Sequence, residues 1–258
     1  MGGEILTFFI ETIDKRNQIL KALLANKHYK TDDISNLSHA VNGDILVFAP
    51  NKKFSDADIS SLKNNTNLIC GNLPETQINA LNHKNIKYFN ILNDEVFAIK
   101  NSWLTAEAVL SIILEKTPKS IFETNILILG SGRVGKATRT LFSKLGLNKF
   151  SLTSRNYNEY AENFLMCKNN FLEEEFLENL SDFDVIINTI PAITIAEKYY
   201  SRINKNSLFL EIASIETINK SLAEFEYLTC PALPQKYSPS TAGQLFMEAI
   251  LKVLKLPS

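Results

Sequence analysis

The stretch Gly130-Ser131-Gly132-Arg133-Val134-Gly135 constrains this chain more than any other. It follows the apolar run Thr124-Asn125-Ile126-Leu127-Ile128-Leu129, which predicts a buried strand, and opens a helical pattern that runs to Leu145 and can end at Gly146. A G-x-G-x-x-G at a strand-to-helix turn has a mechanical meaning. The first glycine allows the tight turn, the second lets the backbone come close to a pyrophosphate, and the third lets the helix pack closely on the strand. Free backbone N–H groups and the positive end of the helix dipole then hold the phosphates. A second strand, Phe150–Thr153, follows at the spacing a dinucleotide-binding (Rossmann) unit requires. The chain has only 9 glycines in 258 residues, so three in one turn carry weight.

The end of that second strand distinguishes the two nicotinamide cofactors. An enzyme using NAD places Asp or Glu there for the ribose 2′-hydroxyl. Here the residues are Thr153-Ser154-Arg155-Asn156, with no acid until Glu159. Arg155 offers a fork of donors for a 2′-phosphate and Ser154 adds a hydroxyl, so NADP is the expected cofactor. The fourth strand closes at Asn188-Thr189-Ile190-Pro191. Ligands of open α/β sheets sit beyond the carboxyl ends of strands, so Thr189, Ile190 and Pro191 join the expected cofactor site. The same rule points to Ala213-Ser214 and to Cys230-Pro231-Ala232.

The rest of the chain also alternates strand and helix. Ile5–Ile10 reads as a strand, and Asp14 can cap a helix with Ile19, Leu20, Leu23 and Leu24 on one face. Strands at Asp44–Ala49, Asn67–Cys70 and Ile86–Phe89 are separated by helices at about 56–62 and 75–81. Trp103–Leu114 is a longer amphipathic helix that stops at Thr117-Pro118, and Asn101-Ser102 stands where it could be N-capped. Further strands are expected near Leu165-Met166, at Asp184–Ile190 and at Ser207–Ala213, then a last helix from about Thr241 to Leu254. Glu173-Glu174-Glu175 with Glu178 reads as the solvated first turn of a helix. The expected class is α/β with two doubly wound parallel sheets. Residues 1–102 form a flavodoxin-like domain and residues 103–258 a Rossmann dinucleotide-binding domain.

Composition narrows the function classes. With 45% hydrophobic and 21% charged residues, the chain can build a core and is not disordered. A net charge of −1 provides no field for nucleic acid or an anionic membrane. No apolar run approaches a membrane span. Met1-Gly2-Gly3-Glu4 lacks the pattern of a secretory signal, and Leu6 stands where myristoylation wants Ser or Thr. Cys70, Cys167 and Cys230, with His28, His39 and His83, show neither a disulfide framework nor zinc spacing. No metal is expected, and the location expected is the cytoplasm.

The second half resembles the dipicolinate synthase A-subunit family of spore-forming bacteria. The resemblance rests on Gly130–Gly135, Thr153-Ser154-Arg155, Asp184–Pro191, Pro231-Ala232-Leu233-Pro234 and Pro239-Ser240-Thr241-Ala242-Gly243-Gln244. The first half is similar through Asp14-Lys15-Arg16-Asn17, Asp94-Glu95-Val96, Asn101-Ser102 and Thr105-Ala106-Glu107. The resemblance implies two domains flanking a cleft, with the last helix packing back on the first domain. It implies NADP-dependent oxidation of dihydro- or 4-hydroxytetrahydro-dipicolinate to dipicolinate during sporulation, in the mother cell. A flavoprotein, the B-subunit of dipicolinate synthase, would be the partner, with self-association into a homo-oligomer. Candidate catalytic groups are Asn101, Ser102, Thr105, Glu107, Ser240 and Thr241, which would bind substrate carboxylates, with Glu107 as acid–base group.

The chain departs from the family at four places. Glu11-Thr12-Ile13 replaces glycines, and Ile215-Glu216-Thr217-Ile218 replaces an Arg-Pro-Gly-Gly turn. Ala232 and Gln235 replace the glycines of a Pro-Gly-Leu-Pro-Gly stretch, and Ser240 replaces a lysine. Either Arg16 and Lys236 take over the lost basic groups, or the activity has changed. The alternatives are an NADP-dependent dehydrogenase of another small carboxylic acid and a degenerate NADP-binding subunit.

Overall fold

The computed structural model describes residues 6–164 and 169–257. Met1-Gly2-Gly3-Glu4, Ile5, the strand expected near Leu165-Met166, and Cys167 lie outside them. The chain divides into two compact units, one of Met1–Asn101 with Pro234–Ser258 and one of Ser102–Leu233.

The first unit starts with β1 (Thr7–Ile10), buried along its whole length, and α1 (Lys15–Asn26). Asp14 caps α1, its Oδ1 accepting from the Arg16 N–H at 2.8 Å. Then come β2 (Lys30–Asp33), β3 (Ile45–Val47), α2 (Asp56–Ser61), β4 (Asn67–Cys70), α3 (Glu75–His83) and β5 (Lys87–Asn90). The strands are all parallel, in the order β2-β1-β3-β4-β5, which is the flavodoxin-like arrangement. Sequence reading misses β2. Its Lys-Thr-Asp-Asp carries no apolar pattern, because it lies at the sheet edge and pairs only along β1.

Helix α4 (Glu95–Lys116) is longer than expected and begins before Asn101. The cap is Asp94, whose Oδ1 accepts from the Phe97 N–H at 2.9 Å and whose carbonyl accepts from the Ala98 N–H at 2.9 Å. Asn101 and Ser102 therefore lie inside the helix and do not cap it. Among the described residues α4 is long and apolar enough to cross a membrane, which corrects the expectation that no segment approaches such a span. Its Phe97, Ala106, Val109 and Ile113 are nonetheless fully buried in the protein.

The second unit contains β6 (Ile126–Leu129), α5 (Arg133–Lys144), β7 (Phe150–Ser154), α6 (Tyr157–Phe164), β8 (Asn169–Leu172), β9 (Val185–Asn188), β10 (Leu208–Glu211) and β11 (Glu226–Thr229). All are parallel, in the order β11-β10-β9-β6-β7-β8. Numbered from β6, this is the 3-2-1-4-5-6 order of Rossmann units, with the switch point between β6 and β9. Ile126 and Ile128 face one core with Val109, Phe142 and Ile187, while Leu127 and Leu129 face the other with Phe176, Leu180 and Phe209. A strand buried on both faces is continuously apolar, so this sheet is legible in the sequence.

The chain ends in α7 (Leu233–Tyr237) and α8 (Pro239–Val253). Helix α8 belongs to the first unit, where Phe246, Met247, Ile250 and Leu251 share a core with Phe8, Ile10, Leu20 and Leu24. Gly243 lets α8 lie against α1, since a Cβ there would stand 2.6 Å from Ile19 Cγ2 and 3.1 Å from the Arg16 carbonyl oxygen.

Candidate functional site

The glycine-rich turn sits at the carboxyl end of β6, beside the end of β9. Gly130 has φ +99°, a conformation L side chains avoid, and a Cβ there would come within 2.7 Å of both Thr189 Oγ1 and Ile190 Cγ1. Its N–H donates to Thr153 Oγ1 at 2.9 Å, tying the turn to β7. A Cβ on Gly135 would stand 2.0 Å from the Gly130 carbonyl oxygen, so α5 reaches the strand only because residue 135 has no side chain. Gly132 differs from both. A Cβ there meets nothing within 4 Å, and its φ of −69° is open to any residue. Fold geometry requires glycine at 130 and 135; at 132 the open space is of the kind a phosphate needs.

Gly132 is the N-cap of α5 and has no side chain to satisfy the helix end. The first intrahelical bond is made by the Lys136 N–H to the Gly132 carbonyl at 2.8 Å. The amides of Val134 and Gly135 precede it, in the first turn, where helix geometry supplies no intrahelical carbonyl. An anion at this end would meet those N–H groups and the positive end of the dipole. The residues present therefore fit a dinucleotide pyrophosphate.

The neighbouring turn is fixed by Asn188, which is fully buried. Its Oδ1 accepts from the Ile190 N–H at 3.1 Å, and its Nδ2 donates to Glu211 Oε1 at 2.9 Å and Thr217 Oγ1 at 3.0 Å. Thr189 Oγ1 donates to the Leu129 carbonyl at 2.8 Å. Thr189 and Ile190 are thus brought against the glycine turn, with Pro191 exposed just beyond. Glu211, 2% exposed at the end of β10, also accepts from the Thr217 hydroxyl at 2.5 Å and its N–H at 3.1 Å. Thr217 stands in the departing Ile215–Ile218 stretch, so that stretch anchors this network. Sequence reading misses Glu211; its only signal is an acid ending an otherwise apolar strand.

At the end of β7 the structure corrects one expectation. Ser154 is 2% exposed, and its Oγ accepts from Asn163 Nδ2 at 2.8 Å; Asn163 in turn accepts from Arg139. That hydroxyl is committed to the interior, because an inward β7 position is covered by α6. Arg155 is presented to solvent, with its side chain 80% exposed, and pairs with Glu159 Oε1 at 2.9 Å. Glu159 Oε2 accepts from Ser131 Oγ at 2.5 Å and from the Arg155 N–H at 3.3 Å. The Ser131 hydroxyl first, and then Arg155, hold the Glu159 carboxyl below the usual range against its partial burial. Glu159 is therefore part of this corner, which its spacing of three from the α6 cap Asn156 could have signalled.

The expected catalytic groups are dispersed along two helices. Asn101 is half-buried on α4, Ser102 and Thr105 are buried there, and Glu107 is exposed. Ser240 and Thr241 are exposed in the first turn of α8. Of the basic groups weighed as replacements, Arg16 is 3% exposed and bonded through Nη2 to Asp14 Oδ2 at 2.7 Å, whereas Lys236 is exposed. Burial lowers the Arg16 pKa, against the opposing pull of Asp14. Ala232 keeps a left-handed φ of +55° where the family it resembles has glycine. Among the described residues no cluster of three His, Cys, Asp or Glu side chains could hold a metal ion.

No protein-family profile matches the chain. The dipicolinate synthase A-subunit of Bacillus subtilis is 28% identical over 176 residues, which is 65% of this chain and 58% of that protein's length. The crystal structure of the dipicolinate synthase A-subunit from Bacillus halodurans superposes with a TM-score of 0.81 at 20% identity, covering 96% of this chain and 97% of that one. A D-lactate dehydrogenase from Treponema pallidum shares the architecture more distantly, with a TM-score of 0.58 at 15% identity over 98% and 97% of the chains. The chain is thus similar to the dipicolinate synthase A-subunit in sequence over part of its length and in fold over nearly all of it, within an architecture shared with dehydrogenases.

Proposed function

We propose that the protein is an NADP-dependent oxidoreductase that converts a dihydro- or hydroxytetrahydro-dipicolinate to dipicolinate, acting with a flavoprotein second subunit in the cytoplasm of a sporulating cell. The observation that carries this reading is the corner at residue 132. Two glycines are demanded by packing, while the third guards open space at the positive end of α5. The likeness to the dipicolinate synthase A-subunit supports the substrate class and the partner.

A bound nicotinamide would supply a two-electron hydride acceptor for a ring carbon, with a proton leaving the ring and, for the hydroxytetrahydro substrate, a water lost as well; aromatisation supplies driving force. The chain's own work is positioning. The amides at 133–135 hold the pyrophosphate, and Arg155 takes the 2′-phosphate. The Asn188-braced turn at Thr189–Pro191 shapes the nicotinamide end. We assign Asn101, Ser102, Thr105, Ser240 and Thr241 to hydrogen bonding with the substrate carboxylates. Exposed Glu107 would take the ring proton.

The test is to incubate the purified protein with the flavoprotein subunit, NADP and the condensation product of pyruvate with aspartate semialdehyde, and to measure dipicolinate. Formation of dipicolinate that requires NADP supports the proposal. NADP binding without dipicolinate favours a non-catalytic role, a reading supported by Ile215 and Ser240 standing where the family has an arginine and a lysine. Turnover of NADPH with a 2-keto acid alone would move the activity to another small carboxylic acid.

A further inference from the structure

We propose that Glu159 sets the balance between NAD and NADP in this chain, by opposing Arg155 at the ribose end of the dinucleotide site; the inference rests on the nucleotide reading above. On this fold the adenosine ribose lies between the glycine turn and the end of the second strand. Glu159 bridges those two places, with one oxygen on Ser131 of the turn and the other on Arg155 of the strand end. Ser154 has withdrawn into the interior, so at the end of β7 the outward charge is the Arg155–Glu159 pair.

The two members of the pair differ in freedom. The Glu159 carboxylate is 20% exposed and held by Ser131 and the Arg155 backbone, while the Arg155 guanidinium is 80% exposed. An ion pair whose arginine is this exposed is weak and opens readily. Arg155 can therefore swing to a 2′-phosphate while Glu159 stays in place. A 2′-hydroxyl would find in Glu159 the acceptor that other chains put at the strand end. A 2′-phosphate would meet the same carboxylate as a like charge. Glu159 thus favours NAD, Arg155 favours NADP, and the chain discriminates only by their difference.

A purely structural role makes a different prediction. Glu159 is the third residue of α6, and its N–H donates to Asn156 Oδ1 at 3.0 Å, so it also serves as a capping acid. Loss of a cap shifts stability and affects both nucleotides equally. The experiment is to titrate the wild-type chain, Glu159→Gln and Glu159→Lys with NADPH and with NADH, following nucleotide fluorescence. Removing one unit charge about 4 Å from a phosphate in water is worth about fivefold in affinity. Glu159→Gln should tighten NADPH by that factor and weaken NADH, and Glu159→Lys should move the ratio further the same way. A ratio unchanged in both variants, with the wild type binding nucleotide, overturns this inference alone. A wild-type chain that binds neither nucleotide overturns it together with the proposed function.

Discussion

Replacing Gly132 by alanine should separate folding from nucleotide binding, which few single changes can do. A methyl group at 132 meets no atom within 4 Å, and the backbone there is already in a region open to alanine. Restricting the unfolded chain stabilises by about 0.4–1 kcal/mol. Alanine is a poorer N-cap than glycine, which offsets a similar amount. The net change should lie within about 0.5 kcal/mol, a Tm shift of roughly 2 °C or less for a chain of this size. Binding should respond very differently. The methyl occupies the space through which a pyrophosphate approaches the amides of α5, and each charge-assisted hydrogen bond broken there is worth about 1.5–3 kcal/mol, or about 10–100-fold in affinity. Gly135→Ala is the contrasting control. Its Cβ would stand 2.0 Å from a backbone oxygen that cannot rotate away, so about 1–3 kcal/mol of stability should be lost along with binding. Thermal melts and NADPH titrations of the three proteins provide the comparison. A Gly132→Ala protein that binds NADPH like wild type, or that melts as low as Gly135→Ala, would refute the reasoning.

Other changes test the remaining structure. Gly243→Ala drives a methyl to within 2.6 Å of Ile19 and should lower Tm by several degrees, measured by calorimetry, since about 1–3 kcal/mol accompanies such overpacking. Glu211→Ala removes one acceptor of the Asn188 amide and leaves the buried Thr217 N–H without its acceptor, a stranded group costing about 1–3 kcal/mol, and should lower the denaturant midpoint more than any surface Glu→Ala change. Ala232→Gly relieves a left-handed alanine, worth about 1–2 kcal/mol less the entropy glycine adds to the unfolded chain, so it should raise Tm slightly. Asp33 accepts from the Thr12 hydroxyl at 2.6 Å and the Ser35 N–H at 3.0 Å, and these bonds, the hydroxyl foremost, hold its pKa at about 2 against an ordinary 3.8. A carboxylate depressed in the folded state stabilises above its unfolded pKa, and that contribution drains away as pH falls from about 4 to 2. Asp33→Asn should therefore be less stable than wild type at pH 6, with the gap in Tm closing by pH 2; a gap constant with pH would contradict this.

Sequence makes the second sheet legible because parallel strands buried on both faces write themselves as apolar runs, as at Ile126–Leu129 and Val185–Asn188. Two of the edge strands escape for the same reason, though the edge strand at Lys87–Asn90 does not. Lys30–Asp33 and Asn169–Leu172 have a single pairing partner each, so nothing forces an apolar pattern on them. The start of α4 is expected too late because the cap at Asp94 lies a full two turns before the apolar periodicity becomes regular. At the site, the glycine turn is readable since packing demands glycine at 130 and 135 and an approaching phosphate would demand it at 132. Glu211 is not, because a carboxylate braced by a hydroxyl and an amide has no fixed spacing in sequence, whereas Glu159 carries only the spacing of three from its cap Asn156. The Thr241-Ala242-Gly243 stretch shows the opposite lesson. Its glycine serves helix packing against α1, so a motif that identifies relatives also encodes packing.

The return of α8 to the first sheet has a consequence for synthesis. Phe8, Leu20 and Leu24 lack Phe246 and Ile250 until the final turns of the chain emerge from the ribosome. The whole of Ser102–Leu233 is translated in between, roughly 7–26 s at ordinary elongation speeds. The nascent amino-terminal half must wait through that interval with an uncovered greasy flank, while the later-made middle can already close its own interior. Birth order and maturation order are inverted in this polypeptide, and chaperone demand should concentrate on the part that leaves the tunnel first.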